Sequence, residues 1–297
     1  MKMAPDCYEC LRRLTYQAAG LATHDASLKQ GAIREAIKIL DEEFSCNQLS
    51  IVIATKIHKA VREVTRNPDP YRAMKEREML LARQLCPELT LQSETGNPDL
   101  SGRGRRRADP YEDELCQHLK LAAAANAIDF FRETCSSEDY MRKPVSFAVD
   151  DSKRFVAKLR DARKVLYLAD NAGELYFDLP LVKLMRQAAR VVYAVKPSPV
   201  QNDLTLEDVR RTGLENELGE VVSTGIASPG VVFSLASARF KREFESADLV
   251  FAKGMGHYEA LSELPPEGRV FYCLMAKCQP VADSLGVEIN SYVAMLR

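Results

Sequence analysis

Two polar side chains that follow an apolar run are the part of this sequence best suited to chemistry. The run at 165–169 ends at Asp170 and Asn171, and the chain continues through Gly173 and Glu174 into a helix-like pattern. Carboxylate and amide oxygens are ligands that hard divalent cations prefer, and free N–H groups at the start of a helix bind anions. The segment is therefore interpreted as a metal and phosphate site, with a glycine that lets the backbone approach a ligand.

Other strand-like runs end in residues of similar character. The next run ends in Lys196 and is followed by Asp203, and a later one ends in Lys253 and Gly254. In an open parallel sheet the ligand site lies beyond the carboxyl ends of the strands, which share one edge. We therefore expect these residues to gather near Asp170, although Asp203 would also suit the N-cap of the following helix.

The elements that must position these residues alternate between strand and helix after residue 144. Such alternation is typical of βαβ units and predicts a Rossmann-like, three-layer α/β/α domain with a mostly parallel sheet at 144–297. Residues 1–143 carry helical patterns and predict an N-terminal all-helical domain, so the fold class is α/β. The predicted strand-like runs are 164–170, 190–196, 220–224, 248–253, 269–275 and 287–295. The predicted helices are 8–22, 27–44, 48–65, 71–85, 111–133, one ending near 189, 204–212, 230–246, 258–264 and 280–286.

Composition excludes several classes of protein. The 297 residues are 46% hydrophobic and 28% charged with a formal net charge of −1, so no global field favours a nucleic-acid or membrane partner. No apolar segment is long enough to span a bilayer, and we expect a cytoplasmic protein. The 8 cysteines are then expected to be reduced. Cys7 and Cys10 have half the spacing of a zinc site, which leaves a metal or redox role open beside a structural one.

Motifs of three common enzyme classes are missing. The segment after residue 170 lacks the G-x-G-x-x-G spacing of a dinucleotide fold, and the chain contains neither a P-loop nor a G-x-S-x-G nucleophile elbow.

Taken together, seven motifs resemble the ARMT-like family of metal-dependent damage-control phosphatases, and most of all its short, stand-alone prokaryotic branch. The motifs are CYEC at 7–10, NPDPY at 67–71, ANAID at 125–129, DNAGE at 170–174 with Asp178, KP at 196–197 with ND at 202–203 and Asp208, KGMGHYE at 253–259 and AKC at 276–278. The resemblance implies a helical domain packed on a Rossmann-like domain, with one divalent cation in the cleft between them. It also implies hydrolysis of phosphate monoesters of small metabolites, such as sugar phosphates or damaged cofactor intermediates.

The resemblance also assigns roles to individual residues. It implies Asp170, Asn171 and Asp203 as ligands of Mn²⁺ or Mg²⁺, with Co²⁺ or Ni²⁺ as alternatives, and Asp170 and Asp203 as the catalytic pair. The family often has Asn where this chain has His257, so a substrate contact at that position is in question. The resemblance also implies that Lys196 and Lys253 neutralise the phosphate. The other candidate substrate-binding residues are Glu174, Gly254 and Asn126, although Glu174 would also suit the helix N-terminus and Asn126 could instead form a hydrogen bond between the domains.

Several alternatives remain open at this point. The nucleophile is either a metal-activated water or Asp170 itself. A carboxylate methyltransferase on the same scaffold and a non-catalytic metabolite-binding protein are the other functions considered, because fold alone does not fix function. The small phosphorylated metabolite that would be the partner is not specified by the sequence, and neither is the oligomeric state.

Overall fold

A computed structural model describes residues 1–95, 109–127 and 143–297. The strands found in these ranges are β1 (Phe147–Asp150), β2 (Lys164–Leu168), β3 (Arg190–Val195), β4 (Glu220–Ser223), β5 (Leu249–Lys253), β6 (Val270–Met275) and β7 (Tyr292–Leu296). The helices are α1 (Cys7–Ala22), α2 (Ala26–Glu43), α3 (Ser50–Thr65), α4 (Arg72–Thr95), α5 (Pro110–Ala125), α6 (Ser152–Asp161), α7 (Leu175–Ala188), α8 (Leu206–Thr212), α9 (Glu215–Leu218), α10 (Ala238–Glu245), α11 (Gly254–Leu261) and α12 (Gln279–Leu285). Single 3₁₀ turns occur at Ala172–Glu174 and Phe233–Leu235.

The strands described form one sheet in the order β1-β7-β6-β5-β2-β3-β4. Strands β2 to β6 pair in parallel, whereas β7 runs antiparallel to β6, and β1 pairs in parallel with β7. The mostly parallel sheet that the sequence predicts is therefore confirmed. The five parallel strands send their carboxyl ends to one edge, where the polar residues of interest follow β2, β3 and β5.

Helices cover both faces of the sheet, which confirms the three-layer α/β class. Successive side chains of a strand point to opposite faces, so Tyr167 packs in one core and its neighbours Leu166 and Leu168 in the other. The first core also contains Leu115 and Leu119 of α5, and helices α10 to α12 contribute to the second. Because both faces are covered, β2 is apolar from Val165 to Leu168 rather than alternating.

The N-terminal helices confirm the predicted helical segment, and α1, α2 and α3 build a separate core. The predicted division at residue 143 stays a prediction. Within the described ranges no helix is long and apolar enough to cross a membrane. The predicted helix at 111–133 is observed as α5 up to Ala125, and residues from 128 lie outside the described ranges.

Three local predictions were wrong or incomplete. The predicted helix at 71–85 was too short, because α4 continues through Pro87 to Thr95, and Leu85 and Leu89 are buried against Phe177. An interior proline costs about 3 kcal/mol, and burying two leucines stabilises by a comparable or larger amount, about 1.5–3 kcal/mol each. The helix expected at 230–246 begins only at Ala238, because the Ser237 side chain accepts a hydrogen bond from Phe240 N and caps it. The sequence patterns also missed β1 and α6, which are short.

Candidate functional site

The chain segments after β2 and β3 are joined by backbone hydrogen bonds. Asn171 and Asp203 form an antiparallel bridge, and Leu204 N donates to the carbonyl of Asp170 over 2.8 Å. The Ala172 N–H donates to the carbonyl of Asn202, also over 2.8 Å. These bonds fix Asp170, Asn171 and Asp203 beside one another at the carboxyl edge of the sheet.

Asp203 is not the N-cap of the helix that follows it. Helix α8 begins at Leu206, and the Thr205 side chain caps it by accepting a hydrogen bond from Asp208 N. Asp208 returns the bond by accepting from the backbone of Thr205, which completes a capping box. The Asp203 carboxylate therefore takes no part in capping α8.

The three residues are buried and carry unbalanced negative charge. Asp170, Asn171 and Asp203 are 8%, 9% and 2% exposed. Burial and the neighbouring carboxylates of Glu174 and Asp203 raise the pKa of Asp170 well above its usual range. Burial raises the pKa of Asp203 to about 7, against the opposing effect of the Lys196 ammonium. Carboxylates forced together in this way are stabilised by a bound cation.

The oxygen atoms present fit a hard divalent cation. Oδ2 of Asp203 is buried and accepts no hydrogen bond from any described residue, although Lys196 Nζ lies 3.5 Å away. The predicted ligands are two carboxylates and one amide, a donor set that suits Mg²⁺ or Mn²⁺. No cluster of three His, Cys, Asp or Glu side chains in the described ranges is arranged to hold a metal, and the predicted set is not such a cluster.

Asn126, at the end of α5, ties the helical segment to this site. Its Nδ2 donates to Asp170 Oδ2 over 3.0 Å and to Glu174 Oε1 over 2.8 Å, while its Oδ1 accepts from Met275 N over 3.1 Å. Asn171 Nδ2 lies 2.8 Å from the same Glu174 oxygen and 3.3 Å from Asp170 Oδ2. Two amides therefore orient two carboxylates. Asp129 of the same motif lies outside the described ranges.

Gly254 brings backbone into contact with Asp170. It begins α11 with a φ of +76°, and a Cβ atom at this position would lie 1.8 Å from Asp170 Oδ2. Every larger residue would collide with the carboxylate. The glycine is thus required by a close approach as well as by its backbone angle.

The two predicted lysines lie on either side of Asp170 in different surroundings. Lys253 Nζ donates to the Ala122 carbonyl over 2.6 Å and forms ion pairs with Glu174 and Asp178 at 2.8 and 2.9 Å. Lys196 Nζ lies 3.5 Å from the Asp203 carboxylate, beside two neutral acceptors. All the predicted site residues are thus brought to one edge of the sheet, where their functional roles stay predictions.

Two charged residues of α4 that support the site were missed by the sequence analysis. Glu78 accepts from Asn202 Nδ2 at 3.0 Å, and Lys75 forms ion pairs with Asp69 and Asp208 at 2.8 and 3.1 Å. The sequence does contain a signal for these two residues, because Lys75 and Glu78 occupy positions on the face of α4 that is otherwise apolar. The buried stripe comprises Tyr71, Lys75, Glu78, Ala82 and Leu85.

The cysteines within the described ranges form no metal-binding cluster with other His, Cys, Asp or Glu side chains. Cys7 and Cys10 are free thiols, and Cys278 is free as well. A cavity of about 720 Å³ lies beside Arg163 and Arg190, at the amino-terminal edge of the strands. This edge is opposite to the one that carries Asp170, so the cavity is separate from the candidate site.

Comparison with known proteins identifies the family. Residues 3–293 match the damage-control phosphatase ARMT1-like domain. The chain is 32% identical to the damage-control phosphatase PH1575 of Pyrococcus horikoshii, covering 99% of this chain and 98% of the relative. It is 31% identical to a damage-control phosphatase of Archaeoglobus fulgidus, covering 99% of each. A crystal structure of a DUF89 family protein from Pyrococcus horikoshii aligns with a TM-score of 0.84 at 31% identity, covering 100% of this chain and 99% of the other. This chain therefore belongs to the ARMT1-like damage-control phosphatase family.

Proposed function

We propose that this protein is a metal-dependent phosphatase that hydrolyses phosphate monoesters of small metabolites, such as sugar phosphates or damaged cofactor intermediates. The observation that carries the proposal is the joined pair of strand ends, which holds Asp170, Asn171 and Asp203 together. Oδ2 of Asp203 accepts no hydrogen bond from the part of the chain that the structure describes. Two relatives that align over 99% of this chain are named damage-control phosphatases, which supports the same activity. The site would lie in a cleft between the helical segment and the sheet.

The donor atoms of Asp170, Asn171 and Asp203 would hold Mn²⁺ or Mg²⁺, with Co²⁺ or Ni²⁺ as alternatives. A bound divalent cation supplies Lewis acidity to a phosphoryl oxygen and lowers the pKa of water. The protein's own contribution is orientation and charge. Asn126 and Asn171 hold Asp170 in place by donating to it, and Lys196 brings a buried positive charge that would favour the negative charge spread over the phosphoryl oxygens.

The test is release of inorganic phosphate from p-nitrophenyl phosphate and from a panel of sugar phosphates. We expect hydrolysis that EDTA abolishes and that added Mn²⁺ or Mg²⁺ restores, with Co²⁺ and Ni²⁺ tested in parallel. Asp170→Asn and Asp203→Asn are each expected to lower turnover by at least about 100-fold, because each removes a charged ligand. The exposed Asp161 on α6 provides a matched control, and Asp161→Asn should keep wild-type turnover.

Two results would contradict the proposal. One is near-normal hydrolysis by purified Asp170→Asn or Asp203→Asn, which would remove both residues from the chemistry. The other is the absence of metal-restored hydrolysis with every ester tested. Methyl transfer to a carboxylate substrate, or binding of a phosphorylated metabolite without turnover, would then identify one of the alternative functions.

A further inference from the structure

The two buried lysines of the site differ in how much of their charge is balanced within the protein. Lys253 faces two carboxylates, Glu174 at 2.8 Å and Asp178 at 2.9 Å, and gives its third N–H to the Ala122 carbonyl at 2.6 Å. A lysine ammonium has three donors, so each donor of Lys253 has a close acceptor. Its positive charge is more than neutralised by these partners.

Lys196 has a different set of neighbours. Among the described residues that contact its Nζ, Asp203 is the one carboxylate, at 3.5 Å. The other two contacts are neutral acceptors, the Gly230 carbonyl at 3.2 Å and His257 Nε2 at 3.4 Å. The Gly230 backbone is held against Gly256, since a Cβ atom on Gly230 would lie 2.2 Å from the Gly256 carbonyl oxygen. Lys196 Nζ therefore lies among three acceptors, of which one, the Asp203 carboxylate, is negatively charged.

The hydrogen bonds of His257 determine which of its nitrogens carries the proton. Nδ1 lies 2.8 Å from the carbonyl oxygen of Lys253, and a carbonyl only accepts, so Nδ1 must donate. Nε2 then presents its lone pair to Lys196, whose ammonium only donates. Burial, with a further contribution from Lys196, lowers the pKa of His257 to about 3, so the ring is neutral at physiological pH. His257 is fully buried.

We propose that His257 is a positioning residue for Lys196: its Nε2 holds the ammonium beside Asp203 without adding a negative charge, which leaves Lys196 available to a phosphoryl group. The proposal rests on the proposed phosphatase function and specifies which lysine would serve it. Lys253, with two carboxylates, instead fixes Glu174 and Asp178. His257 thereby acts through Lys196 and not by contact with the substrate.

Two amide substitutions separate this role from a purely structural one. The amide of glutamine extends about as far as Nε2 of histidine, so His257→Gln keeps an acceptor for Lys196 and gives up the bond to Lys253. The amide of asparagine extends about as far as Nδ1, so His257→Asn keeps the donor to the Lys253 carbonyl and gives up the acceptor. A hydrogen bond to a charged group corresponds to a factor of roughly ten or more in an equilibrium constant.

Steady-state kinetics with p-nitrophenyl phosphate and Mn²⁺ gives the first test. His257→Asn is expected to lower kcat/KM by roughly tenfold or more, with a fall in kcat because Lys196 would act on the transition state, and His257→Gln should stay within about threefold of wild type. If His257 served only to anchor the start of α11, the order of the two variants would be reversed. A reversed order, or equal effects of the two variants, overturns the proposal.

The second test does not use activity. Protein labelled with ¹⁵N at its four histidines is recorded by long-range ¹H–¹⁵N NMR in the presence of Mg²⁺, and His257→Gln identifies the signals of His257. We expect a protonated Nδ1 and a bare Nε2 at pH 7, and a shift of the Nε2 resonance in Lys196→Met. A protonated Nε2, or a resonance that does not respond to Lys196→Met, overturns the proposal.

The two tests also separate the failure of this inference from that of the proposed function. If wild-type protein hydrolyses no phosphate ester while the NMR result is as expected, the phosphatase proposal fails and the hydrogen bond between His257 and Lys196 stands. If hydrolysis is present and Nε2 carries the proton, the role of His257 fails and the phosphatase proposal stands.

Discussion

Substituting alanine for Gly254 is expected to displace the carboxylate of Asp170. The added Cβ would lie 1.8 Å from Oδ2 and 2.3 Å from Cγ of Asp170, well inside the 3.0 Å that real Cβ contacts respect. One side must therefore move. The carboxylate is held by Asn126 at 3.0 Å and by Asn171 at 3.3 Å, so its movement breaks or lengthens both bonds.

The size of the effect follows from two contributions. Holding alanine in the left-handed region costs about 1–2 kcal/mol. Each hydrogen bond to a charged group contributes about 1.5–3 kcal/mol, so loss of one or both brings the total for Gly254→Ala to roughly 3–8 kcal/mol. Gly213 is a matched control, because its φ is +73° and no atom lies within 4 Å of its Cβ position. Gly213→Ala should cost only the backbone contribution.

Urea unfolding in EDTA measures the stability of both variants without any effect of metal affinity. Phosphate release in Mn²⁺ measures their function. We expect Gly213→Ala to keep wild-type kcat/KM and Gly254→Ala to lose about 100-fold or more, because a misplacement of about 1 Å can have that effect on rate. Equal free energies of unfolding for the two variants, combined with near-normal turnover by Gly254→Ala, would refute the reasoning.

Two further predictions concern buried charges. Lys253→Met leaves Glu174 and Asp178 buried without a cation, and should lower the free energy of unfolding by about 3–5 kcal/mol. Adding Asp178→Asn should restore part of the lost stability. If it restores none, the ion pair between Lys253 and Asp178 is contradicted. Burial opposes ionisation of Asp208, but Lys75 and hydrogen bonds outweigh it and lower its pKa below 3.8. Asp208 therefore stabilises the fold above about pH 4, and this contribution is lost as the pH falls through the lowered pKa. Urea unfolding from about pH 6 to pH 2.5 should show the gap between wild type and Asp208→Asn closing on acidification; a gap that is constant or widens would contradict the assignment.

The strands were predictable because their apolar runs have a physical cause. Strand β2 is covered on both faces, so every residue from Val165 to Leu168 is apolar and the run ends sharply at Asp170. Parallel strands deliver their polar ends to one edge, so proximity of Asp170 and Asp203 could be expected from chain order. The antiparallel direction of β7 could not be expected, because the side-chain pattern within a strand is the same in parallel and antiparallel pairs.

The partners of the buried charges were also beyond the sequence. Nothing in a strand end distinguishes Lys196 from Lys253, since each is a lysine after an apolar run. The difference arises from residues distant in the chain, Glu174 and Asp178 on one side and Gly230 and His257 on the other. The NPDPY motif likewise gave no indication that Asp69 contacts Lys75, which in turn contacts Asp208.

Charge balance connects these observations. The ion-paired and hydrogen-bonded network around the site contains the carboxylates of Asp170, Glu174, Asp178 and Asp203, and the ammonium groups of Lys196 and Lys253. With every group ionised, these six described groups leave two negative charges, and the nearby Lys277 ammonium offsets part of this excess by opposing the rise in the pKa of Asp170. A bound divalent cation would offset the remainder. Glu174 and Asp178 exceed the charge of Lys253 by one, and Asp170 and Asp203 exceed the charge of Lys196 by one, so the excess is shared by these two groups of residues. A second carboxylate beside Lys196 would enlarge that excess and would neutralise the Lys196 ammonium. A neutral histidine at position 257 avoids both effects, which is why the identity of this residue matters for the chemistry of the site.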